Sequence, residues 1–277
     1  MTKQKIRRDE NFPVGSLLIP RRLRATVHAY YRFARLADDI ADSPDLTPET
    51  KKDRLFAMKS ALARAELKDS ENSEEMAAAL SLGNHLTQRG LELSLASGLL
   101  EAFLWDADNN PCRTWADLIN YCQYSACPVG RFLLALHEEK NGVPESDALC
   151  CALQALNHVQ DSSKDWQTLQ RVYIPTDWIG GAGETIDGLG RETISPEMRT
   201  VLDRVLDNTD ALIASASNLP NLIHHRGLAA EATICVALAK RLSRRLRRNN
   251  PISNTVSLTP LDWAYAVTRG LIRLLRL

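Results

Sequence analysis

The sequence predicts an all-α fold, arranged as one bundle of about nine helices. Apolar residues recur at spacings of three and four almost throughout, as in helices that bury one face. The alternating apolar and polar runs of half-buried strands are nearly absent. A chain of 277 residues with 44% hydrophobic content can bury a large core and still enclose a cavity. No linker divides the sequence, so we expect a single domain over residues 1–277.

The first helix is expected at about 22–42, where the apolar spacing is regular until Pro44 interrupts it. Thr47 and Pro48 then supply a cap and an N-terminal proline for the second helix. The second and later helices are expected at about 49–66, 73–86, 90–106, 114–138, 145–163, 196–217, 224–248 and 258–276. Residues 175–195 contain five glycines, and we expect a loop long enough to have a functional role.

The charge balance gives no support to a nucleic-acid partner, because Lys+Arg and Asp+Glu are equal at 34 each. Basic residues are nevertheless clustered at 240–248, and the stretch 269–276 mixes apolar and basic side chains. These two stretches predict either peripheral contact with anionic lipid or a solvated helix face. No apolar run is long enough to cross a bilayer, and the N-terminus lacks the apolar core of a secretory signal. We therefore expect a cytoplasmic protein, with contact at the inner face of the membrane as an open alternative.

Two aspartates, Asp38 and Asp42, lie four positions apart within the first predicted helix. Their side chains are therefore expected on one face of that helix, about one turn apart, where like charges repel. Neither has a basic residue four positions downstream, and a divalent cation would remove the repulsion. One such pair alone is equally typical of a solvated helix face.

A second pair, Asp161 and Asp165, repeats this spacing, and Asn157 lies on the same helical stripe. The stripe follows an apolar run at 149–156, so it is expected to be partly buried, where carboxylates need a metal or another cation. If the two pairs face each other, their oxygen atoms can bind Mg²⁺, which keeps ligand positions for water and phosphate. Such a site would neutralise a diphosphate leaving group.

Four segments resemble, in the same order, motifs of the squalene/phytoene synthase family. They are residues 30–42, 121–130, 157–165 and 171–175, and the likeness extends from about residue 11 to 275. The resemblance implies an all-α isoprenoid synthase fold with a central apolar cavity for prenyl chains. It also implies Mg²⁺ as the cofactor and a prenyl diphosphate as the substrate.

The resemblance assigns roles to residues that match the family motifs. The implied metal ligands are Asp38, Asp42, Asn157, Asp161 and Asp165, and the four aspartates are also counted with Tyr121 as catalytic. Tyr121 is expected to line the reaction cavity, and Arg35 and Arg171 to bind diphosphate. Lys164 is expected either to contact phosphate or to offset the charge of Asp165. His158 is interpreted as a structural histidine.

Two departures from the family pattern narrow the resemblance. Gln160 stands where enzymes that join two prenyl diphosphates usually have arginine, and the segment 126–130 replaces a run of small residues. Together with residues 11–16, these features resemble the branch that makes hydroxysqualene in the bacterial hopanoid pathway. The implied reaction is that of a Mg²⁺-dependent carbon–oxygen lyase, which ionises presqualene diphosphate and lets water capture the rearranged cation.

Aromatic side chains and a free carbonyl are expected to stabilise that cation. Tyr121, Tyr124 and Phe132 are candidates, although ordinary core packing is the favoured interpretation of Tyr124 and Phe132. Pro128 has no N–H group, so within a continuous helix it would leave the carbonyl of Tyr124 without its usual partner.

Two alternatives stay open at this point. One is a head-to-head prenyltransferase that makes presqualene diphosphate, squalene or phytoene. The other is a non-catalytic helical scaffold that binds prenyl lipids. No dinucleotide-binding glycine pattern is present, so we expect no role for NADPH. Contact with neighbouring enzymes of the same pathway is a further expectation.

Overall fold

The computed structural model describes residues 18–64 and 73–276, and within these ranges it contains helices and no strand. The helices are α1 (Arg21–Ala41), α2 (Pro48–Leu62), α3 (Glu74–Gln88), α4 (Ser94–Ala107), α5 (Trp115–Ser125), α6 (Cys127–Leu136), α7 (Val143–Leu169), α8 (Thr176–Gly181), α9 (Pro196–Ala216), α10 (Leu219–Leu222), α11 (Arg226–Arg248) and α12 (Pro260–Arg276). The prediction of an all-α fold is confirmed. The sequence feature at residues 11–16 lies outside the described residues, as does the end of the second predicted helix beyond residue 64.

Helix starts follow the capping signals in the sequence. Thr47 accepts a hydrogen bond from the backbone N–H of Thr50, and Pro48 is the first residue of α2, as predicted. Thr114 and Asp117 form a reciprocal capping box at the start of α5. These side chains satisfy N–H groups that have no partner inside the helix.

The predicted helix at 114–138 is broken at Ala126, which lies between α5 and α6 with φ −128° and ψ −45°. Pro128 therefore occupies the first turn of α6, where its missing N–H group breaks no helical hydrogen bond. Pro128 is thus not inside a continuous helix, and the condition under which it was expected to free the carbonyl of Tyr124 is not met. The glycine-rich segment 175–195 is also more ordered than expected, since it contains α8 and a short 3₁₀ turn, Ile186–Gly190.

Helix α7 continues six residues beyond the predicted end at 163 and stops at Leu169. It ends because Gln170 adopts a left-handed conformation with φ 55°, and glycine is the residue that usually does so. The longer helix carries Asn157, Asp161 and Asp165 along one continuous element.

Two large apolar clusters form the core. The first joins α1, α2, α3, α4 and α6 around Phe33 and Leu82, and the second joins α7, α9 and α11 around Leu156 and Leu202. Phe132 belongs to the first cluster and stacks on Tyr30 with ring centroids 4.1 Å apart, which confirms the packing interpretation. No helix in residues 18–64 and 73–276 has the length and apolar character needed to cross a membrane.

Gly130 sets the distance between α6 and α7. A Cβ atom at this position would overlap Ser146 Oγ and lie 2.7 Å from Cys150 Sγ, both on α7. A side chain at residue 130 would therefore force the two helices apart or move both of these groups. Helix α7 is thus held close to α6 from its first turns.

Candidate active site

Helices α1 and α7 place the two predicted carboxylate pairs around one cavity of about 350 Å³. Asp38 and Asp42 come from the C-terminal end of α1, and Asp161 and Asp165 come from the second half of α7. All four side chains are half-buried, and all four line the cavity. The two pairs therefore share one space, so the condition for joint binding of a cation is met.

The crowding of like charges appears in the pKa values of these groups. Loss of solvation raises the pKa of Asp38 to about 7, and the neighbouring carboxylate of Asp42 adds to the shift. Loss of solvation also raises the pKa of Asp165 to about 7, with further contributions from Asp161 and, across the cavity, Asp42. Burial first, and neighbouring carboxylates second, thus disfavour the charged forms of Asp38 and Asp165.

Two arginines border the carboxylates of α1. Arg35 donates to Asp38 Oδ2 at 2.7 Å and to Asp39 Oδ1 at 2.6 Å. Arg171 donates through Nη1 to Asp42 Oδ1 at 2.5 Å and through Nη2 to the carbonyl of Ala41 at 2.8 Å. Both arginines line the cavity, at the positions expected for contact with diphosphate. Arg171 is only 6% exposed, so its charge acts where water competes little.

A buried acidic residue that the sequence analysis missed holds two tyrosines in the cavity wall. Asp106, on α4, accepts hydrogen bonds from Tyr121 at 2.8 Å and from Tyr173 at 2.7 Å. Desolvation raises the pKa of Asp106, while Arg171 and the two hydroxyl groups act in the opposite direction. The only sequence signal for Asp106 was a charged residue inside an otherwise apolar helical run.

His158, interpreted from the sequence as structural, also lines the cavity and stacks on Tyr173 with ring centroids 3.8 Å apart. Burial lowers the pKa of His158 to about 3, so the ring is neutral at physiological pH. Five buried side-chain polar atoms in the described ranges have no hydrogen-bond partner, and three belong to residues that line this cavity. They are Ser125 Oγ, His158 Nε2 and Arg171 Nε. Buried polar atoms are rarely left unpaired, so these three atoms are available to a water molecule or to a polar ligand.

The remaining predicted residues divide into two groups. Tyr121 and Asn157 line the cavity. Lys164 is exposed and Tyr124 is 43% exposed, and neither is among the lining residues. Gln160 also lies outside the lining and donates to the carbonyl of Val256 at 2.5 Å, so it ties α7 to the segment before α12.

The donor set fits magnesium better than a metal that needs a closed protein cage. In the part of the chain that is described, no three His, Cys, Asp or Glu side chains converge on one point. The oxygen donors instead form two separate pairs across a cavity, with raised carboxyl pKa values and unpaired polar atoms nearby. Mg²⁺ commonly takes one or two carboxylates and completes its shell with water and substrate phosphates.

The sequence profile of the squalene/phytoene synthase family matches residues 6–262. The chain belongs to the squalene/phytoene synthase family. This result confirms the family resemblance seen in the four sequence segments, and the helical architecture agrees with the isoprenoid synthase fold.

Members of the family from several bacteria are similar over most of the chain. The hydroxysqualene synthase of Zymomonas mobilis is 39% identical over 90% of this chain and 82% of its own length. The hydroxysqualene synthase of Rhodopseudomonas palustris is 38% identical over 95% of this chain and 88% of its own length. The crystal structure of a squalene synthase from Alicyclobacillus acidocaldarius superposes with a TM-score of 0.73, at 28% identity over 87% of this chain and 90% of that one. These similarities confirm the prediction of an enzyme and leave the non-catalytic scaffold without support.

Proposed function

We propose that this enzyme ionises presqualene diphosphate and lets water capture the rearranged cation, giving hydroxysqualene and diphosphate. The observation that carries the proposal is that two carboxylate pairs and two arginines border a single cavity. The similarity to hydroxysqualene synthases over 90–95% of the chain supports this choice of product.

The proposed metal ligands are Asp38, Asp42, Asn157, Asp161 and Asp165, all of which line the cavity. Bound Mg²⁺ would supply positive charge that neutralises the departing diphosphate. The raised carboxyl pKa values of Asp38 and Asp165 support this role, because burial and then the neighbouring carboxylates disfavour their charged forms, and a bound cation would offset both effects.

The two arginines would hold the diphosphate in different ways. Arg171 donates through Nη1 to Asp42 and through Nη2 to the carbonyl of Ala41, and its Nε has no partner. It can therefore contact an anion through Nε without breaking its two hydrogen bonds to the end of α1. Arg35 is about one-third exposed and would exchange its bond to Asp38 or Asp39 for a phosphate oxygen. Such charge-assisted hydrogen bonds are stronger than those between neutral groups.

The reaction breaks the carbon–oxygen bond of the substrate, and the bonding electron pair leaves with the diphosphate. The ring of Tyr121 is one of the aromatic faces available to the resulting cation, and the bond to Asp106 fixes its position. Ser125 Oγ and His158 Nε2 are the unpaired groups available to hold a water molecule. The oxygen of that water forms the new carbon–oxygen bond, and one of its protons is released.

The competing proposal is the head-to-head prenyltransferase, which makes presqualene diphosphate, squalene or phytoene. One observation keeps it in competition. Gln160, the residue that distinguished the two reactions in the sequence, hydrogen-bonds Val256 and does not line the cavity. Its effect on the reaction must therefore be indirect.

A direct test is to incubate the enzyme with presqualene diphosphate or with farnesyl diphosphate, with Mg²⁺ present and NADPH absent. We expect hydroxysqualene from presqualene diphosphate and no product from farnesyl diphosphate. Formation of presqualene diphosphate from farnesyl diphosphate would transfer the assignment to the prenyltransferase. Turnover that survives removal of Mg²⁺ by a chelator would contradict the proposed metal dependence.

A further inference from the structure

Helix α12 carries most of the exposed large apolar side chains in the described ranges. Nine such side chains are exposed, and six of them lie on this one helix. The six are Leu261, Tyr265, Val267, Leu271, Ile272 and Leu275. Leu261 and Leu275, near the two ends of the helix, are more than 80% exposed. An apolar patch of this kind on a soluble domain marks a surface that contacts something else.

The six side chains form one continuous face. At 3.6 residues per turn they lie within an arc of about 160° around the helix axis. The opposite side, with Ala266 and Gly270, packs against α11. A Cβ atom at Gly270 would lie 2.6 Å from Ile234 on α11, so the two helices are in close contact. The apolar face of α12 is therefore turned away from the core by tight packing.

A basic groove of about 400 Å³ runs between α11 and α12, along one edge of this apolar face. Six basic residues line it, and no acidic residue does. They are Lys240, Arg241, Arg244, Arg269, Arg273 and Arg276.

Most of these cations have no salt-bridge partner among the described residues. Lys240, Arg244, Arg269 and Arg276 are exposed and form no salt bridge within residues 18–64 and 73–276. Arg273 donates through Nη2 to the carbonyl of Pro220, but its buried Nε atom has no partner. A groove with unneutralised positive charge and an unsatisfied buried donor is complementary to an anion with several acceptor oxygens, such as a phosphate group.

We propose that the apolar face of α12 and the basic groove together dock on a membrane of anionic lipid. The apolar side chains would enter the boundary between head groups and acyl chains, while the groove takes the phosphate of a lipid head group. Arg269 and Arg276 follow Tyr265 and Ile272 by four positions each, so the cations border the apolar face where the head groups would lie.

The charge of the groove favours an anionic bilayer over a second copy of the chain, and the apolar face favours it over a free phosphate ion. A second copy that used the same surface would bring the unneutralised cations of one groove against those of its partner. A free phosphate ion would satisfy the groove and leave the apolar face exposed. An anionic bilayer supplies both the negative charge and an apolar phase.

The test is sedimentation of the full chain with vesicles of phosphatidylcholine alone and of phosphatidylcholine with phosphatidylglycerol. We expect binding to the anionic vesicles that weakens as salt is added. Each cation near an anionic surface strengthens binding about fivefold, so Arg269→Gln with Arg276→Gln should weaken it about 25-fold. Arg32→Gln with Arg113→Gln removes the same charge from exposed positions outside the groove and should leave binding nearly unchanged.

A second variant tests the apolar part of the surface. Leu271→Ser with Leu275→Ser changes only exposed side chains, so the melting temperature should hold while binding to anionic vesicles falls about tenfold or more. Three outcomes would overturn the proposal. The first is equal binding by the groove variant and its control, and the second is binding of inorganic phosphate without vesicle binding. The third is a dimer in solution that the leucine variant dissociates.

Discussion

The two carboxylate pairs have the same spacing but different surroundings. On α1, Asp38 is paired with Arg35, and Asp42 with Arg171. On α7, Asp161 and Asp165 form no salt bridge or side-chain hydrogen bond with any described residue. Both pairs nevertheless face the same cavity.

The difference shows that identical four-residue spacings do not create identical binding sites. The pair on α1 is already partly neutralised by arginines, whereas the pair on α7 has only the more distant charges of Lys164 and Arg171 near Asp165. A cation entering the cavity should therefore relieve more repulsion at α7 than at α1. If so, the pair on α7 is the stronger determinant of metal affinity.

The largest expected effect is on turnover. Asp161→Asn and Asp38→Asn should each lower the rate of diphosphate release by at least about a hundredfold. Each removes a carboxylate that would hold the Mg²⁺ ions, and these ions stabilise the departing diphosphate. The comparison between the pairs is tested by titrating Mg²⁺ in each variant. Asp161→Asn should need more Mg²⁺ for half-maximal rate than Asp38→Asn does. Equal requirements in the two variants would contradict the asymmetry.

Ligand binding should stabilise the fold by a smaller amount. Mg²⁺ with pyrophosphate, at a hundredfold excess over Kd, should add about 2.7 kcal/mol to the free energy of unfolding. We expect the resulting rise in Tm to be lost in Asp161→Asn. Asp53→Asn changes an exposed carboxylate outside the cavity and serves as the control, which should keep the full shift. A shift that survives in Asp161→Asn would place the ligand elsewhere.

The two arginines should differ in their effect on stability. Arg171→Gln removes hydrogen bonds from a guanidinium that is 6% exposed, and should cost about 2 kcal/mol of stability. Arg35→Gln changes a side chain that is about one-third exposed, and should cost less than about 1 kcal/mol. Both should lower kcat/KM if both bind diphosphate. Chemical denaturation separates the stability effects, and equal losses would show that burial does not distinguish the two.

The smallest effect concerns pH. The pKa of Asp38 is about 7 in the folded chain and near its ordinary value of about 4 when unfolded. Between these pH values the folded chain binds more protons, so this carboxyl makes the metal-free protein less stable as pH rises. Asp38→Asn should weaken that dependence and, above pH of about 7, raise stability by about 1 kcal/mol, or roughly 2–4 °C in Tm. A pH dependence identical to that of the wild type would contradict this.

Features that depend on local sequence were predicted well. Apolar periodicity located the helices, and the cap at Thr47 with Pro48 marked the start of α2, because these signals act within one or two turns. The break at Ala126 and the left-handed Gln170 were missed, since neither residue is a glycine or a proline. A local signal for the break was nevertheless present, because Pro128 follows Ala126 by two residues and proline is favoured in the first turn of a helix.

In the candidate site, too, some features were predicted from the sequence and others were missed. Spacing predicted that each carboxylate pair shares one helix face, and the family resemblance implied that the two pairs meet, but the cluster of Asp106, Tyr121 and Tyr173 joins three segments whose proximity no local pattern reveals.

Gln160 is turned about 100° from Asp161 around the helix axis. Lys164, seven residues after Asn157, is turned only about 20° from Asn157 and still lies outside the lining. Rotation around the helix therefore does not decide which side chains reach the cavity, since His158, about 100° from Asn157, does line it.

The close contact at Gly130 affects the distance between the carboxylates of α1 and α7, although Gly130 contacts none of them. Helix α7 rests on α6 at Ser146 and Cys150, while its far end presents Asp161 and Asp165 to α1. A methyl group at residue 130 would push α7 away from α6 near the N-terminal end of α7. The other end of α7, which carries the carboxylates, would then shift relative to α1. The distance between the two carboxylate pairs therefore depends on the absence of a side chain at residue 130, several helical turns away from them.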